Sequence, residues 1–204
     1  MFDAFQARYP RDSEVTERSG NTSASSPQSL ADFVSQFGGA SFGGGLYRVI
    51  STSDLGEWKA RIGEGFPEFA DRTTCFAYDW LGRVFALDPA RLEGGQPGVV
   101  MLEPGTGEAL EIPCNWETFH TEELLEYGEA ALAISFYEKW LGSGGAAPTL
   151  DQCVGYKKPL FLGGVDDLEN LELSALDVYW HLSTQIIRQT RGLPPRTPVR
   201  FDIG

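Results

Sequence analysis

The segment from residue 73 to residue 112 constrains the fold most, because it reads as four short strands joined through tight turns. Its runs of β-forming residues alternate with turn-forming tetrapeptides that carry Asp, Gly or Pro. Successive strands that are joined by short turns pair antiparallel, so the segment predicts an antiparallel meander. The strands are expected at 73–78, 83–87, 99–103 and 108–112, with Asp79-Trp80-Leu81-Gly82 and Pro104-Gly105-Thr106-Gly107 as turns.

Helical spacing of apolar residues lies on both sides of this segment. Capping signals predict helices that begin at Ser26-Pro27, at Ser53 (with a stop at Gly63), at Thr121, and at a Ser174–Asp177 capping box. Residues 46–51 and 158–162 are expected to be short strands. The combined pattern predicts an α+β fold, in which an antiparallel meander packs with amphipathic helices in a single globular unit.

A chain of 204 residues suits one large domain or two small domains that pack closely. Residues 1–29 read as an N-terminal extension that is mobile in part, although Phe2 and Phe5 suggest a short element docked on the core. We expect residues 30–115 and residues 116–204 to be two regions that share one core.

The cysteines and the net charge predict the cellular compartment of the chain and the kinds of partner that it can bind. Cys75, Cys114 and Cys153 are far apart and lack CxxC spacing, which favours free thiols in a reducing cytoplasm. No apolar run approaches the ~18 residues of a membrane helix. The net charge of -13 disfavours binding to nucleic acid or to anionic membranes. The same charge attracts a basic partner, or it serves solubility alone.

Two acidic clusters are the candidate binding residues. The first is a loop, and three interpretations are open for it: a solvated helix N-terminus, a docking patch for a basic partner, or a divalent-metal site. The spacing of its carboxylates does not match a calcium loop, and we expect no cofactor. The second cluster is either the solvated face of the helix that begins at Thr121 or a partner surface. The loop residues are Asp166, Asp167, Glu169 and Glu172, and the helix residues are Glu122, Glu123 and Glu126.

His120 and His181 are the two histidines of the chain, and they leave open a small hydrolase. His181 follows Asp177 by one helical turn, a spacing at which a carboxylate can orient a general base. A surface histidine on an amphipathic helix has the same spacing. His120 is expected just before the helix that begins at Thr121. The sequence contains neither a Gly-x-Ser-x-Gly elbow nor a phosphate-binding glycine loop with its Lys.

The chain resembles bacterial proteins in which a GAD-like region precedes the C-terminal domain of immunity proteins against type VI secretion DNase effectors. A weaker similarity is to the SUKH superfamily. The residues that carry the resemblance are Phe42-Gly43-Gly44-Gly45-Leu46-Tyr47-Arg48, Phe66-Pro67-Glu68-Phe69, Tyr78-Asp79-Trp80-Leu81-Gly82-Arg83, Glu103-Pro104-Gly105-Thr106-Gly107, residues 155–164 (Gly-Tyr-Lys-Lys-Pro-Leu-Phe-Leu-Gly-Gly), Asn170-Leu171-Glu172 and Val178-Tyr179-Trp180.

The resemblance implies a non-enzymatic antitoxin in the cytoplasm. Such a protein binds a cognate toxin, here a basic nuclease, and blocks its active site or its DNA-binding face. The shared motifs consist mostly of aromatic, glycine and proline residues and bring no catalytic residue with them. We expect a monomer or a weak dimer. The alternative to an antitoxin, besides the hydrolase, is a regulatory module that binds a ligand or a protein of unknown identity.

Overall fold

The computed structural model describes residues 2–12, 27 and 29–193. In these residues the α-helices are α1 (Phe2–Arg8), α2 (Leu30–Phe37), α3 (Leu55–Gly65), α4 (Pro67–Ala70), α5 (Trp116–Thr118), α6 (Leu124–Glu126), α7 (Gly128–Leu132), α8 (Ile134–Gly142) and α9 (Leu176–Thr190). The strands are β1 (Ser41–Phe42), β2 (Tyr47–Val49), β3 (Thr74–Asp79), β4 (Val84–Glu93), β5 (Gln96–Glu103), β6 (Glu108–Asn115), β7 (Gln152–Tyr156) and β8 (Leu171–Ala175). Short 3₁₀ turns lie at Thr52–Asp54, Leu160–Leu162 and Leu168–Asn170, and a π-helical turn lies at Phe119–Glu123.

The strands β1 to β6 form one sheet in which each strand pairs antiparallel with the next strand along the chain. The predicted turns join β3 to β4 and β5 to β6. Gly82 and Gly107 have φ angles of 74° and 70° in these turns, a conformation that glycine adopts without steric cost. The predicted antiparallel meander and the α+β fold class are therefore confirmed, and the sheet extends further through β1 and β2.

Both faces of the sheet are buried. Successive side chains on a strand point to opposite faces, and along β4 and β5 they alternate between two hydrophobic cores. Phe85 and Met101 belong to the first core, which also contains side chains from α1, α2 and residues 116–137. Val84 and Val100 belong to the second core, which contains side chains from α3 and α9. The sheet is thus the middle of three layers.

The first core joins the beginning of the chain to its C-terminal half. Phe2 and Phe5 in α1 are buried in it, which confirms that an N-terminal element docks on the core. Val154 and Leu171, from β7 and β8, belong to the same core. The division of the chain after residue 29 and after residue 115 stays a prediction.

The N-terminal helices start later than the sequence predicted. The α2 helix is capped by Ser29, whose hydroxyl accepts a hydrogen bond from the Asp32 amide at 3.2 Å. The predicted start at Ser26-Pro27 is wrong for Pro27, which precedes the helix, while Ser26 lies outside the described residues. The α3 helix begins after a 3₁₀ turn that contains Ser53, and it continues past Gly63 to Gly65.

The long helix predicted from Thr121 is wrong, because a better cap lies before it. The side chain of Asn115 accepts hydrogen bonds from the amides of Glu117 and Thr118 at 3.0 and 3.1 Å, so helical structure begins at Trp116. The Thr121 hydroxyl instead donates to the Glu117 carbonyl. Downstream, the π-helical turn and the left-handed Ala133 (φ 51°) break the segment into short helices.

The C-terminal region contains a second, two-stranded sheet of β7 and β8. The strand predicted at 158–162 is wrong: Pro159, which has no amide donor, leads into a 3₁₀ turn. The predicted capping box is also wrong, since Ser174 lies inside β8 and pairs with Cys153. Helix α9 itself is confirmed, with Tyr179 and Trp180 on its buried face.

His120 lies at the centre of the first core, inside the π-helical turn and not before a helix as predicted. Its ring is fully buried, and the ring centroid of Phe33 lies 4.6 Å away. Nδ1 is 3.0 Å from the Trp116 carbonyl oxygen, which can only accept, so Nδ1 carries the proton and donates. Nε2 then accepts from the Tyr47 hydroxyl at 2.8 Å. Burial lowers the pKa of His120 to about 3, so the ring is neutral.

A buried ion pair fixes the turn between β3 and β4. The Asp79 carboxylate accepts hydrogen bonds from the amides of Leu81 and Arg83 at 3.0 and 2.9 Å, and from the Arg83 Nε at 2.6 Å. The Arg83 guanidinium also donates to the Ala131 carbonyl at 3.1 Å, and Arg48 donates to the Asp79 carbonyl. Strands β2 and β3 and helix α7 therefore meet at one pair of charges.

Replacement of Asp79 by Ala should cost about 3–5 kcal/mol of unfolding free energy, because it leaves Arg83 buried without its counter-ion. Urea denaturation of wild type and variant measures the loss. Lys59→Ala is the control: it removes a surface pair with Asp71 at 3.1 Å, and such pairs contribute roughly 0–1 kcal/mol. Similar losses in the two variants would contradict the special role of the buried pair.

The buried neutral His120 should make the protein less stable in acid. Below the unfolded pKa of about 6.5 the unfolded chain binds a proton that the native ring does not, so stability falls as the pH falls toward about 3. Between pH 7 and pH 5 we expect wild type to lose about 2 kcal/mol more than His120→Gln, which does not titrate. Urea denaturation at each pH measures this difference.

His181→Gln makes the same chemical change at a half-exposed ring. It serves as the control for the loss of an imidazole ring outside the core. An equal pH dependence in wild type and His120→Gln would contradict the assignment of a neutral buried imidazole.

Candidate partner-binding surface

The structure places the seven predicted acidic residues in two separate regions. Asp166, Asp167, Glu169 and Glu172 lie in and after the loop between β7 and β8, and their side chains are exposed. Glu122, Glu123 and Glu126 lie in the π-helical turn and in α6. We define these three glutamates as the acidic wall. The two regions have different surroundings, which decide what each can bind.

The loop between β7 and β8 is fixed by hydrogen bonds within the protein. The Asp166 carboxylate accepts from the Tyr156 hydroxyl at 2.7 Å, and the Asp167 carboxylate accepts from the Leu168 amide at 2.6 Å. The buried Asn170 donates to the carbonyls of Lys158 and Val165 at 2.8 and 2.9 Å. Two of the four acidic side chains in this region therefore have a structural role already.

A lysine next to this loop reduces its negative charge. The Lys157 ammonium donates to the Glu169 carbonyl at 2.9 Å, which keeps a cation beside Glu169. Glu172 is exposed on β8, where it pairs with Gly155. This region thus presents four exposed carboxylates beside one lysine ammonium, on a loop held by internal hydrogen bonds.

The acidic wall lines an open cleft of about 570 Å³. Glu93, at the end of β4, and Pro113, in β6, form the opposite side, and the ring of Tyr127, which is 58% exposed, stands at the wall. Burial raises the pKa of Glu123, since its carboxyl group is partly withdrawn from water. The cleft therefore combines carboxylates with concavity and an exposed aromatic ring.

Asn115 connects the two sides of this cleft. Its side-chain oxygen caps the helical segment that leads into the acidic wall, and its Nδ2 donates to the Glu93 carbonyl at 3.2 Å. Glu93 also forms an ion pair with Arg91, which in turn donates to the carbonyls of Val99 and Ile112. The Glu93 side is therefore partly neutralised, and the acidic wall carries most of the negative charge.

Cys114 is the thiol at the base of the cleft, and its environment makes it unreactive. Burial, together with the nearby Glu123, raises the pKa of Cys114 to about 12, so the thiol stays protonated at neutral pH. Cys75 and Cys153 are also buried and free. For all three thiols the structure supports a packing role.

The histidines give little support to a hydrolase. His120 is enclosed in the aromatic core, where no substrate can reach its ring. His181 lines a second cleft of about 470 Å³ between α3 and α9, with Nδ1 at 4.0 Å from a carboxylate oxygen of Glu64. Asp177, the predicted partner of His181, lines the same cleft, and its carboxylate accepts from the Val178 amide. Three buried cysteines lie elsewhere, so this cleft lacks a thiol nucleophile.

The metal and membrane alternatives find no support in the described part of the chain. Among residues 2–12, 27 and 29–193, no three His, Cys, Asp or Glu side chains come together in a way that could hold a metal ion. Over the same residues, no helix is both long enough and apolar enough to cross a membrane.

Sequence reasoning missed Glu93, Pro113 and Tyr127 as cleft residues. Glu93 lies far from the acidic wall along the chain and reaches it through pairing of the strands, a long-range contact that no local pattern shows, whereas Pro113 lies in β6, just before the helical segment that leads to the wall. Tyr127 did carry a signal, because a bulky aromatic residue directly after an acidic run is unusual on a solvated helix face.

Comparisons with known proteins add the following. Residues 120–187 match the family model of the C-terminal region of the type VI secretion system (T6SS) immunity protein Tdi1, which supports a relationship with T6SS immunity proteins. The match includes the acidic wall and the loop between β7 and β8. No curated protein matches the chain. None of these comparisons bears on the GAD-like and SUKH-like resemblances, which stay predictions.

Among solved structures, the crystal structure of Atu4351 from Agrobacterium tumefaciens is similar to the chain. Its TM-score is 0.59 at 13% sequence identity, and the match covers 91% of this chain and 89% of that chain. At this identity the similarity shows a shared fold and nothing about activity. The chain therefore has the fold of Atu4351 and, over residues 120–187, sequence similarity to the C-terminal region of the T6SS immunity protein Tdi1.

Proposed function

We propose that this protein is a non-enzymatic immunity protein that binds a cognate T6SS toxin and neutralises it. The observation that carries the proposal is the position of the acidic wall: Glu122, Glu123 and Glu126 line a cleft and lie inside the segment that is similar to an immunity protein. A cleft lined by carboxylates thus lies within the segment that resembles a toxin inhibitor.

The toxin in this proposal is a nuclease. An enzyme that cuts DNA must present a basic face to the phosphate backbone, and such a face is complementary to an inhibitor with a net charge of -13. Opposite charges also accelerate the encounter of the two proteins at low ionic strength. By covering the basic face, the inhibitor excludes DNA from the toxin. This mode of action needs neither a catalytic residue nor a cofactor in the inhibitor.

Within this proposal the cleft is the primary contact and the loop between β7 and β8 lies at the edge of the interface. A Lys or Arg side chain of the toxin can enter the cleft, place its cationic head among the glutamates and lay its aliphatic stem against Tyr127. Asp166, Asp167, Glu169 and Glu172 then contribute weaker contacts. The protein acts in the cytoplasm, where it meets the toxin as a monomer or weak dimer.

Co-expression tests the function directly. We expect cells that produce the toxin encoded beside the gene of this protein to survive only when this protein is also present. The two proteins should co-purify, because inhibition by blocking requires a stable complex. Continued killing together with failure to co-purify would contradict the proposal. Protection without a complex would indicate a regulatory or enzymatic role in its place.

Charge reversal tests which surface binds the toxin. We expect Glu122→Lys/Glu126→Lys to slow association with the purified toxin roughly 10-fold or more at low salt, because the two substitutions remove the attraction and introduce repulsion in the cleft. Surface plasmon resonance at low and physiological salt measures the rate constants. The effect should shrink as salt increases.

The control variants reverse charges elsewhere: the double variant has the same change in net charge as the cleft variant, and the single variant has half of it. Asp166→Lys/Asp167→Lys alters the loop between β7 and β8, and a single Glu138→Lys alters the exposed side of α8, which does not line the cleft. Both should have a smaller effect than the cleft variant. If the loop variant slows association more strongly, the interface is centred on the loop and the assignment of the cleft is wrong.

A further inference from the structure

The N-terminal arm, which we define as residues 2–12, ends in a contact of unusual geometry. The carboxylate of Asp12 accepts three hydrogen bonds from strand β1 and from the loop between β1 and β2. The donors are the Ser41 hydroxyl at 2.6 Å, the Gly44 amide at 2.6 Å and the Gly45 amide at 2.8 Å. Hydrogen bonds to an ionised carboxylate are stronger than those between neutral groups.

The backbone of this loop is shaped to hold an anion. Gly43, Gly44 and Gly45 have consecutive positive φ angles of 66°, 71° and 90°, which a residue with a side chain rarely adopts. Adjacent amides that point into one concavity form an anion-binding nest. We call Ser41 together with Gly44 and Gly45 the carboxylate nest.

The backbone that forms the carboxylate nest is also held by contacts that do not involve the Asp12 side chain, among them a hydrogen bond from the Gly43 amide to the Pro10 carbonyl at 2.9 Å. The Tyr137 hydroxyl, on α8, donates to the Gly44 carbonyl. A Cβ atom on Gly45 would lie only 2.6 Å from the Pro148 carbonyl oxygen, so this backbone is closely enclosed. The nest is therefore held in place by surrounding residues, and the Asp12 carboxylate occupies it.

The arm also contacts the segment that carries the acidic wall. The Tyr9 hydroxyl is buried and donates to the carbonyl of Leu124 at 2.6 Å, between Glu123 and Glu126 in the chain. A Cβ atom on Gly128 would lie 2.4 Å from the same hydroxyl oxygen, so the arm and this segment are in close contact. Any change that frees the arm removes this support.

We propose that Ser41, Gly44 and Gly45 form a carboxylate-binding site whose ligand is the chain's own Asp12, and that this contact latches the N-terminal arm against the backbone of the segment that carries the acidic wall. The contact between Asp12 and the nest does not depend on the proposed function, but its effect on toxin binding does. When the Asp12 carboxylate is absent, the nest accepts a small free carboxylate from solution. A cleft of about 310 Å³, lined by Arg11, Asp12, Gly44 and Gly45, gives access to it.

Hydrogen exchange tests the latch. We expect Asp12→Ala to accelerate amide exchange roughly 10- to 100-fold in residues 2–12, the range that corresponds to the loss of hydrogen bonds to a charged group. Exchange should also be faster in residues 119–127, which Tyr9 supports, while β4 and β5 stay protected. Asp3→Ala is the matched control, since it removes one carboxylate from the exposed side of the same arm. Equal exchange in the two variants would overturn the proposal.

Chemical rescue tests the ligand class. The change from Asp to Ala removes a carboxylate group and leaves a space that formate can occupy. We expect sodium formate to raise the melting temperature of Asp12→Ala and to slow its arm exchange in a saturable way, whereas sodium chloride at equal ionic strength should not. Wild type and Asp3→Ala should respond equally to both salts. An equal response of Asp12→Ala to formate and chloride would mean that only charge screening is at work and would overturn the site.

A second variant and a toxin-binding measurement cover the remaining outcomes. If Asp12→Ala does not fold, Ser41→Ala removes one donor and should loosen the arm to a smaller extent, while unchanged exchange in that variant would contradict the nest. If the latch is confirmed but Asp12→Ala binds the toxin as fast as wild type, the latch stands and its link to the proposed function fails.

Discussion

The buried ion pair between Asp79 and Arg83 is the contact on which the rest of the structure depends. Asp79 is fully buried, so its charge is tolerable only with Arg83 and two backbone amides around it. Arg83 then reaches Ala131 in α7, and Arg48 connects the Asp79 carbonyl to the carbonyls of Thr149 and Gln152, just before and at the start of β7. Three stretches of chain, far apart in sequence, thus meet at one hairpin turn. Misplacement of any of them would leave a buried charge or a buried carbonyl without a partner.

The sequence predicted the parts of the fold that depend on local interactions. The meander follows from alternating strands and from turns in which Gly82 and Gly107 adopt positive φ, and α9 follows from its apolar stripe. The long helix predicted from Thr121 is wrong because the side chain of Asn115 caps an earlier start. A π-helical turn and the left-handed Ala133 then interrupt the helix. Strand β8 was missed because Glu172 was assigned to an acidic loop and Ser174 to the cap of the last helix. The acidic residues of the candidate site were found, but their separation into a cleft and a loop depends on strand pairing.

The segment that resembles an immunity protein does not form its core alone. His120, its first residue, is enclosed by rings from the N-terminal region: the centroids of Phe2 and Phe33 lie at 5.1 and 4.6 Å. Its Nε2 accepts from Tyr47 in β2. The matched segment therefore supplies the acidic wall, whereas unmatched residues supply the hydrophobic support behind it.

The acidic wall has an electrostatic cost that the surrounding contacts offset. Carboxylates that face one cleft repel each other, and burial already disfavours the charged form of Glu123. Asn115 caps the start of this segment and Tyr9 binds the Leu124 carbonyl in its middle, so the backbone that carries the glutamates is fixed. A cation that enters the cleft removes the repulsion and needs no rearrangement of the protein. A rigid wall of like charges therefore gains more from a basic partner than a flexible one does, because the cost of bringing the charges together is met during folding.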